Sequence, residues 1–200
     1  MKLPRAARGG VLTLGLALVA AVTALGYAFG PHGSATPART TLALAPAPAP
    51  SGWQHLTLPN GAAVLFYPPS MHPVSGDSDA VSAARLGPDG KYLLYLNATP
   101  RQGQESLRNW ASYRLRALRS DDASRASLDA AAEGEPFRGG TGSCVIDHYL
   151  TRVGAHSYTE LACLVQGRTA ATVIVAAAAT ALWPSARAVL DQAVSAYTVQ

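Results

Sequence analysis

The chain predicts an α+β domain, an antiparallel sheet covered by two helices, preceded by an N-terminal hydrophobic helix. Short apolar segments of period two follow one another through tight turns, the pattern of consecutive antiparallel strands. Two longer segments change to a helical period, one in the middle of the domain and one at its end. The first fifty residues carry a different signature, a basic tip, an apolar run and a Pro/Ala tract in that order.

Residues 1–10 are a basic tip, with Lys2, Arg5 and Arg8. Residues 11–29, Val11 to Phe29, hold no charge and are long enough as a helix to cross a bilayer. Positive charge precedes the run and none follows until Arg39, so the tip is expected in the cytoplasm and the rest outside. Two outcomes stay open: an uncleaved single-pass anchor, or a signal segment cut near Ala24-Leu25-Gly26 or, farther from the apolar core, at Ala43-Leu44-Ala45, which would release the protein. No cysteine precedes Cys144, which excludes a lipoprotein anchor. Residues 30–52 form a Pro/Ala-rich linker, in which Ala45-Pro46-Ala47-Pro48-Ala49-Pro50 favours extended polyproline II over a helix.

Residues 53–200 read as one extracytoplasmic α+β domain. Trp53–Leu58 alternates, Pro59-Asn60-Gly61 turns, and Ala62–Tyr67 returns as a second strand closed by Pro68-Pro69. Ser70–Asp77 reads as a loop. Ala80–Leu86 and Tyr92–Asn97 form a pair around Gly87-Pro88-Asp89-Gly90, a tetrad suited to a turn. In Glu105–Arg119, Leu107, Trp110, Ala111, Leu115 and Leu118 recur at helical spacing, with Arg108, Arg116 and Arg119 on other faces. A short strand is expected over Ala126–Ala130, then a loop through Gly134, Pro136 and Gly139-Gly140. Cys144–Val153 and Tyr158–Val165 form a hairpin about Gly154-Ala155, and Thr169–Ala177 a further long strand. Pro184 opens the closing helix, with Leu190, Val194 and Tyr197 on its inner face.

The whole chain carries a formal +4, yet residues 53–200 contain twelve basic and twelve acidic side chains. The excess sits in the tip and linker, so nothing on the domain speaks for nucleic-acid binding. Two cysteines in an exported domain suggest one disulfide, Cys144–Cys163. A two-residue turn at Gly154-Ala155 would place Cys144 opposite Val165, one diagonal step from Cys163. A bulge or a turn shifted by one residue would place the cysteines face to face.

The opening Trp53 strand, the Gly61–Tyr67 strand ending in Pro68, the following strand pair, the helix around Trp110 and the long hairpin before a C-terminal helix together resemble the PsbP-like domain. The resemblance covers most of residues 53–200. It implies an α/β/α sandwich with a binding or scaffolding role, in a family whose actinobacterial members are secreted or membrane-attached. It brings no catalytic residues.

The chemical motifs are incomplete. Arg138-Gly-Gly-Thr-Gly-Ser143 lacks the lysine of a P-loop and leads into a strand. Gly142-Ser143-Cys144 lacks the second glycine and the helix of a nucleophile elbow. The five histidines are dispersed, so no metal is expected, and Asp77-Ser-Asp79 lacks the remainder of a calcium loop. Asp147, His148 and Glu160 make the densest titratable patch. Alternation separates Asp147 from His148, and the patch reads as a solvated sheet face with one charged cross-strand contact. Trp53, Tyr67, Tyr92, Tyr95, Trp110, Tyr113, Tyr149 and Tyr158 line either a groove between helix and sheet or the core. The sequence thus leads to a membrane-tethered extracytoplasmic binding or scaffolding module, not an enzyme, without cofactor. Its partners are the membrane, through residues 11–29, and an envelope protein or ligand. The alternative is a cell-envelope hydrolase or transferase using Asp147, His148 and Glu160.

Overall fold

The computed structural model describes residues 42–200 apart from Asp122. The basic tip and the apolar run at residues 11–29 lie outside the described residues. Among the described residues no helix is long and apolar enough to cross a membrane.

Three strands, β1 (Gln54–Thr57), β2 (Ala63–Tyr67) and a C-terminal β10 (Thr198–Val199), form a small sheet in the order β1-β2-β10. The main sheet has seven strands: β3 (His72–Val74), β4 (Val81–Leu86), β5 (Tyr92–Pro100), β6 (Ala123–Phe137), β7 (Gly140–Thr151), β8 (Ser157–Gln166) and β9 (Ala171–Ala179). Its order is β3-β4-β5-β9-β8-β7-β6, and every paired neighbour is antiparallel. Helix α1 (Trp110–Asp121) packs on one face through Trp110, against Val145, Ala162, Leu164, Val173 and Val175. Helix α2 (Trp183–Ala196), entered through a 3-10 turn at Thr180–Leu182, packs on the other face with the small sheet. The fold is therefore α+β with two helices, and strands dominate it.

The period-two strands deliver both faces. On β7, Cys144 and Ile146 enter the larger core on the α2 side, while Val145 meets α1. The central strands β8 and β9 are apolar on both faces because each face is covered. Tyr197 closes the larger core. It is the C-cap of α2 rather than part of its inner face, is fully buried, and donates its hydroxyl to Thr172 Oγ1 at 3.0 Å.

Four expected elements differ. The segment Ser70–Asp77 contains the short edge strand β3, whose Pro73 is tolerated at an edge. Helix α1 begins at Trp110, not Glu105; the residues before it form a turn in which Ser106 and Asn109 exchange side-chain-to-backbone bonds (2.7 and 3.3 Å). The short strand and loop expected after it are one long edge strand, β6. Its register slips near Ser124, Asp129 and Gly134, and Gly134 takes φ 75°. Each slip resets the alternation, which hid the strand.

The β7–β8 hairpin has a four-residue tip, Arg152–Ala155, closed by Thr151 N–H donating to the His156 carbonyl at 2.9 Å. Its centre lies one residue earlier than Gly154-Ala155, so Cys144 pairs with Cys163, not Val165. The two form a disulfide between adjacent strands, buried in the core.

The glycine run serves packing. A Cβ on Gly139 would stand 2.0 Å from the Val199 carbonyl oxygen, and one on Gly140 would stand 2.3 Å from that of Gln166. The run therefore admits the C-terminal strand, whose Val199 N–H donates to the Arg138 carbonyl. Leu42 and Leu44 also pack on the larger core. Leu44 N–H donates to Glu135 Oε2 (2.7 Å) and Ala47 N–H to the Ser195 carbonyl (3.0 Å). The last part of the Pro/Ala tract thus lies against the domain.

Candidate functional site

Two features share the α1 face of the main sheet. In register, Asp147 of β7 faces Glu160 of β8, Glu160 faces Ala177 of β9, and Ala177 faces Tyr95 of β5. One row across the sheet therefore runs from a pair of carboxyls to a tyrosine. The next row places Tyr149 opposite Tyr158.

The carboxyl end of the row is sealed. Asp147 and Glu160 are each 1% exposed, so the solvated face expected for them is overturned by α1 lying over it. Arg114 of α1 grips Glu160 Oε1 with Nε at 2.8 Å and with Nη2. Burial opposes the Arg114 charge, but Glu160 and then Asp147 outweigh it and hold the guanidinium above its ordinary value. Burial also pushes Asp147 up, to about 9, and the neighbouring Glu160 carboxylate adds to the rise. Neither Asp147 oxygen has a hydrogen-bond partner, the setting in which a carboxyl group holds its proton most readily. One cation, one carboxylate and one neutral acid are the electrically balanced set. His148 points to the opposite face, where its Nδ1 lies 2.8 Å from Asp129 Oδ1. The three residues weighed for catalysis are thus divided between two faces. The two on one face are closed to substrate.

This arrangement sets a pH dependence. The folded-state value of Asp147 exceeds its unfolded one, so its stabilising contribution is complete below about pH 4 and disappears as pH climbs through about 9. Asp147→Asn is expected to gain about 1–2 kcal/mol over the native chain at pH 8 and to flatten the slope between pH 4 and 9. Urea melts across that range check it; parallel curves for the two proteins would refute the neutral acid.

Beyond the cover of α1, the same face is open. Tyr92, Tyr95, Tyr149, Tyr158 and Ala177 line a groove of about 590 Å³, walled by Thr151, Arg152, Val153 and His156 at the β7–β8 tip. The tyrosines sit in pairs, Tyr92–Tyr95 with ring centres 5.0 Å apart and Tyr149–Tyr158 with centres 5.8 Å apart. Tyr95 is fixed by its hydroxyl, 3.1 Å from Ser82 Oγ. Burial pushes the Tyr95 and Tyr158 phenols up, so both remain neutral hydroxyls at physiological pH. The tip is held by Arg152, which donates to the Arg119 and Ser120 carbonyls at the end of α1. It carries Gly154 at φ 76° and Ala155 at φ 49°, a left-handed alanine at the mouth of the groove. Val153, 87% exposed, extends into solvent from the same tip.

The aromatic residues thus divide between the two readings. Trp110 and Tyr67 are core, and Trp110 Nε1 donates to the buried Ala162 carbonyl at 2.9 Å. The four groove tyrosines are not fully buried, although Tyr95 and Tyr149 rest against the core clusters beneath α1. Arg114 was legible but unread, a cation midway between Trp110 and Leu118 on the buried helical stripe. Asp129 had no such signal, because it stands at a slip in β6. Among the described residues, no cluster of three metal-ligating side chains occurs.

The layers, strand order and paired helices define a PsbP-like α+β sandwich. The solution structure of cyanobacterial PsbP (CyanoP) from Synechocystis sp. PCC 6803 matches it with a TM-score of 0.54 and 16% identity, covering 86% of this chain and 100% of that one. LpqN of Mycobacterium tuberculosis, a protein involved in cell envelope biogenesis, overlaps with a TM-score of 0.47 and 12% identity, over 74% of this chain and 90% of that one. No family model matches the sequence, and no curated protein does.

Proposed function

We propose that this chain is a membrane-tethered extracytoplasmic binding or scaffolding module without catalytic activity. It takes an envelope protein or ligand in the tyrosine groove. One observation carries the reading: the open groove contains tyrosines and the hairpin tip, while Asp147 and Glu160 lie sealed under α1. Paired aromatics supply large, rigid contact area at little entropic cost, and their hydroxyls add directional bonds. The PsbP-like fold accords with this role. The apolar run at residues 11–29 serves as the anchor, with the domain outside, or releases it if cleaved.

The reading is tested by placing a photocrosslinking residue at position 92 or 158 in cells and, as control, at the exposed Arg168 in the turn between β8 and β9. Adducts of defined mass are expected from the groove positions and to be lost when Tyr95→Ala is added. Adducts that form equally from position 168 would refute the groove as the binding surface.

A further inference from the structure

A second cleft lies on the opposite face of the sheet, apart from the tyrosine groove. It measures about 380 Å³ and is lined by Asp129, Ile146, His148 and Thr159 of the sheet and by Thr180, Trp183 and Pro184 at the entry to α2. Its polar groups are arranged in order. The register slip in β6 leaves Asp129 without a cross-strand partner and brings its carboxylate to His148 Nδ1 at 2.8 Å. Strand irregularities of this kind re-aim a side chain, and here the result is an imidazole fixed by a carboxylate. Directly across from His148 stands Thr159, 5% exposed, which donates to Thr180 Oγ1 at 3.1 Å. Thr180 in turn lies 2.9 Å from Ser157 Oγ. Three residues after Thr180, Trp183 and Pro184 begin α2, and the indole is half-buried against the core.

The chemistry of the lining selects a ligand class. No lysine or arginine borders the cleft, and Asp129 repels anions, so phosphate and carboxylate ligands are disfavoured. One carboxylate and one imidazole are too few for a structural metal ion. What remains is an apolar indole lining the same cleft as several neutral and charged hydrogen-bonding groups, with acceptors and donors mixed. A pyranose ring has the complementary form: a C–H face for the indole and a rim of hydroxyls that both donate and accept. We propose that the cleft binds a neutral saccharide ring, stacked on Trp183, with its hydroxyls held by Asp129, His148 and the Thr159–Thr180 pair. This site is independent of the tyrosine groove.

The test uses the full chain, labelled with 15N and kept in a non-glycosidic detergent, titrated separately with maltose and N,N′-diacetylchitobiose. Of the three tryptophan indole N–H signals, that of Trp183 is expected to shift with at least one disaccharide, at dissociation constants of about 1–10 mM. The signal of Trp110 should stay fixed, because its N–H is committed to the Ala162 carbonyl. Asp129→Asn should weaken binding roughly tenfold, since it removes a charged acceptor. It leaves the core intact, whereas Trp183→Ala alters packing. Retention on washed cell-wall sacculi, together with disaccharide binding, would assign a wall glycan; disaccharide binding without retention would assign a soluble sugar. No Trp183 shift up to about 50 mM of either sugar, or a shift indifferent to Asp129→Asn, overturns the proposal.

Discussion

Replacing Arg114 by alanine is expected to cost about 3–5 kcal/mol of stability, although the residue touches neither the groove nor the second cleft. Arg114 is the cation that meets the buried Glu160 carboxylate, and Asp147 beside it is held neutral. Without the guanidinium, Glu160 must either remain charged in an apolar layer or take up a proton next to another acid. Both outcomes are expensive. The whole pair is a different matter. Arg114→Leu with Glu160→Leu fills similar volume without a buried charge and should recover most of the loss. Urea denaturation of the single and double variants measures both effects. A single variant within about 1 kcal/mol of the native chain would show that water reaches Glu160.

The second large effect concerns Cys144 and Cys163, 19 residues apart in sequence and joined across adjacent strands. Closing a loop of that length restricts the unfolded chain by about 3 kcal/mol. The cost of its loss falls on the β7–β8 hairpin, whose arms carry both the carboxyl pair and the tyrosine pair. For a domain of this size, reduction should lower the thermal midpoint by roughly 6–12 °C. Thermal melts with and without dithiothreitol, and of the double alanine variant, check it. An unchanged midpoint would mean that the bridge does not constrain the unfolded ensemble.

Much of the architecture was legible because it rests on local rules. Gly87-Pro88-Asp89-Gly90 turns between β4 and β5 as turn chemistry requires, and Trp110 and Leu118 are buried as the helical period demands. Strand β6 was not legible beyond a fragment, since a strand that slips register three times has no lasting alternation. The hairpin register turned on hydrogen bonds made by Thr151, which close a four-residue tip where glycine alone suggested two. The candidate sites were the least legible part. Asp147 and Glu160 look like surface residues in sequence because their burial depends on a helix far earlier in the chain, with Arg114 lying 46 positions before Glu160. The tyrosine groove depends on where α1 stops covering the sheet, which no local pattern encodes.

The uneven outer strand β6 has a consequence for how this domain meets others. A fifteen-residue edge strand, paired on one side only, would ordinarily invite a neighbouring chain to zip on and start a fibre. Its kinks near Ser124, Asp129 and Gly134, the proline at 136 and the charges of Arg125, Glu133 and Glu135 interrupt that invitation at every few positions. Crowded copies are therefore kept from polymerising through that rim.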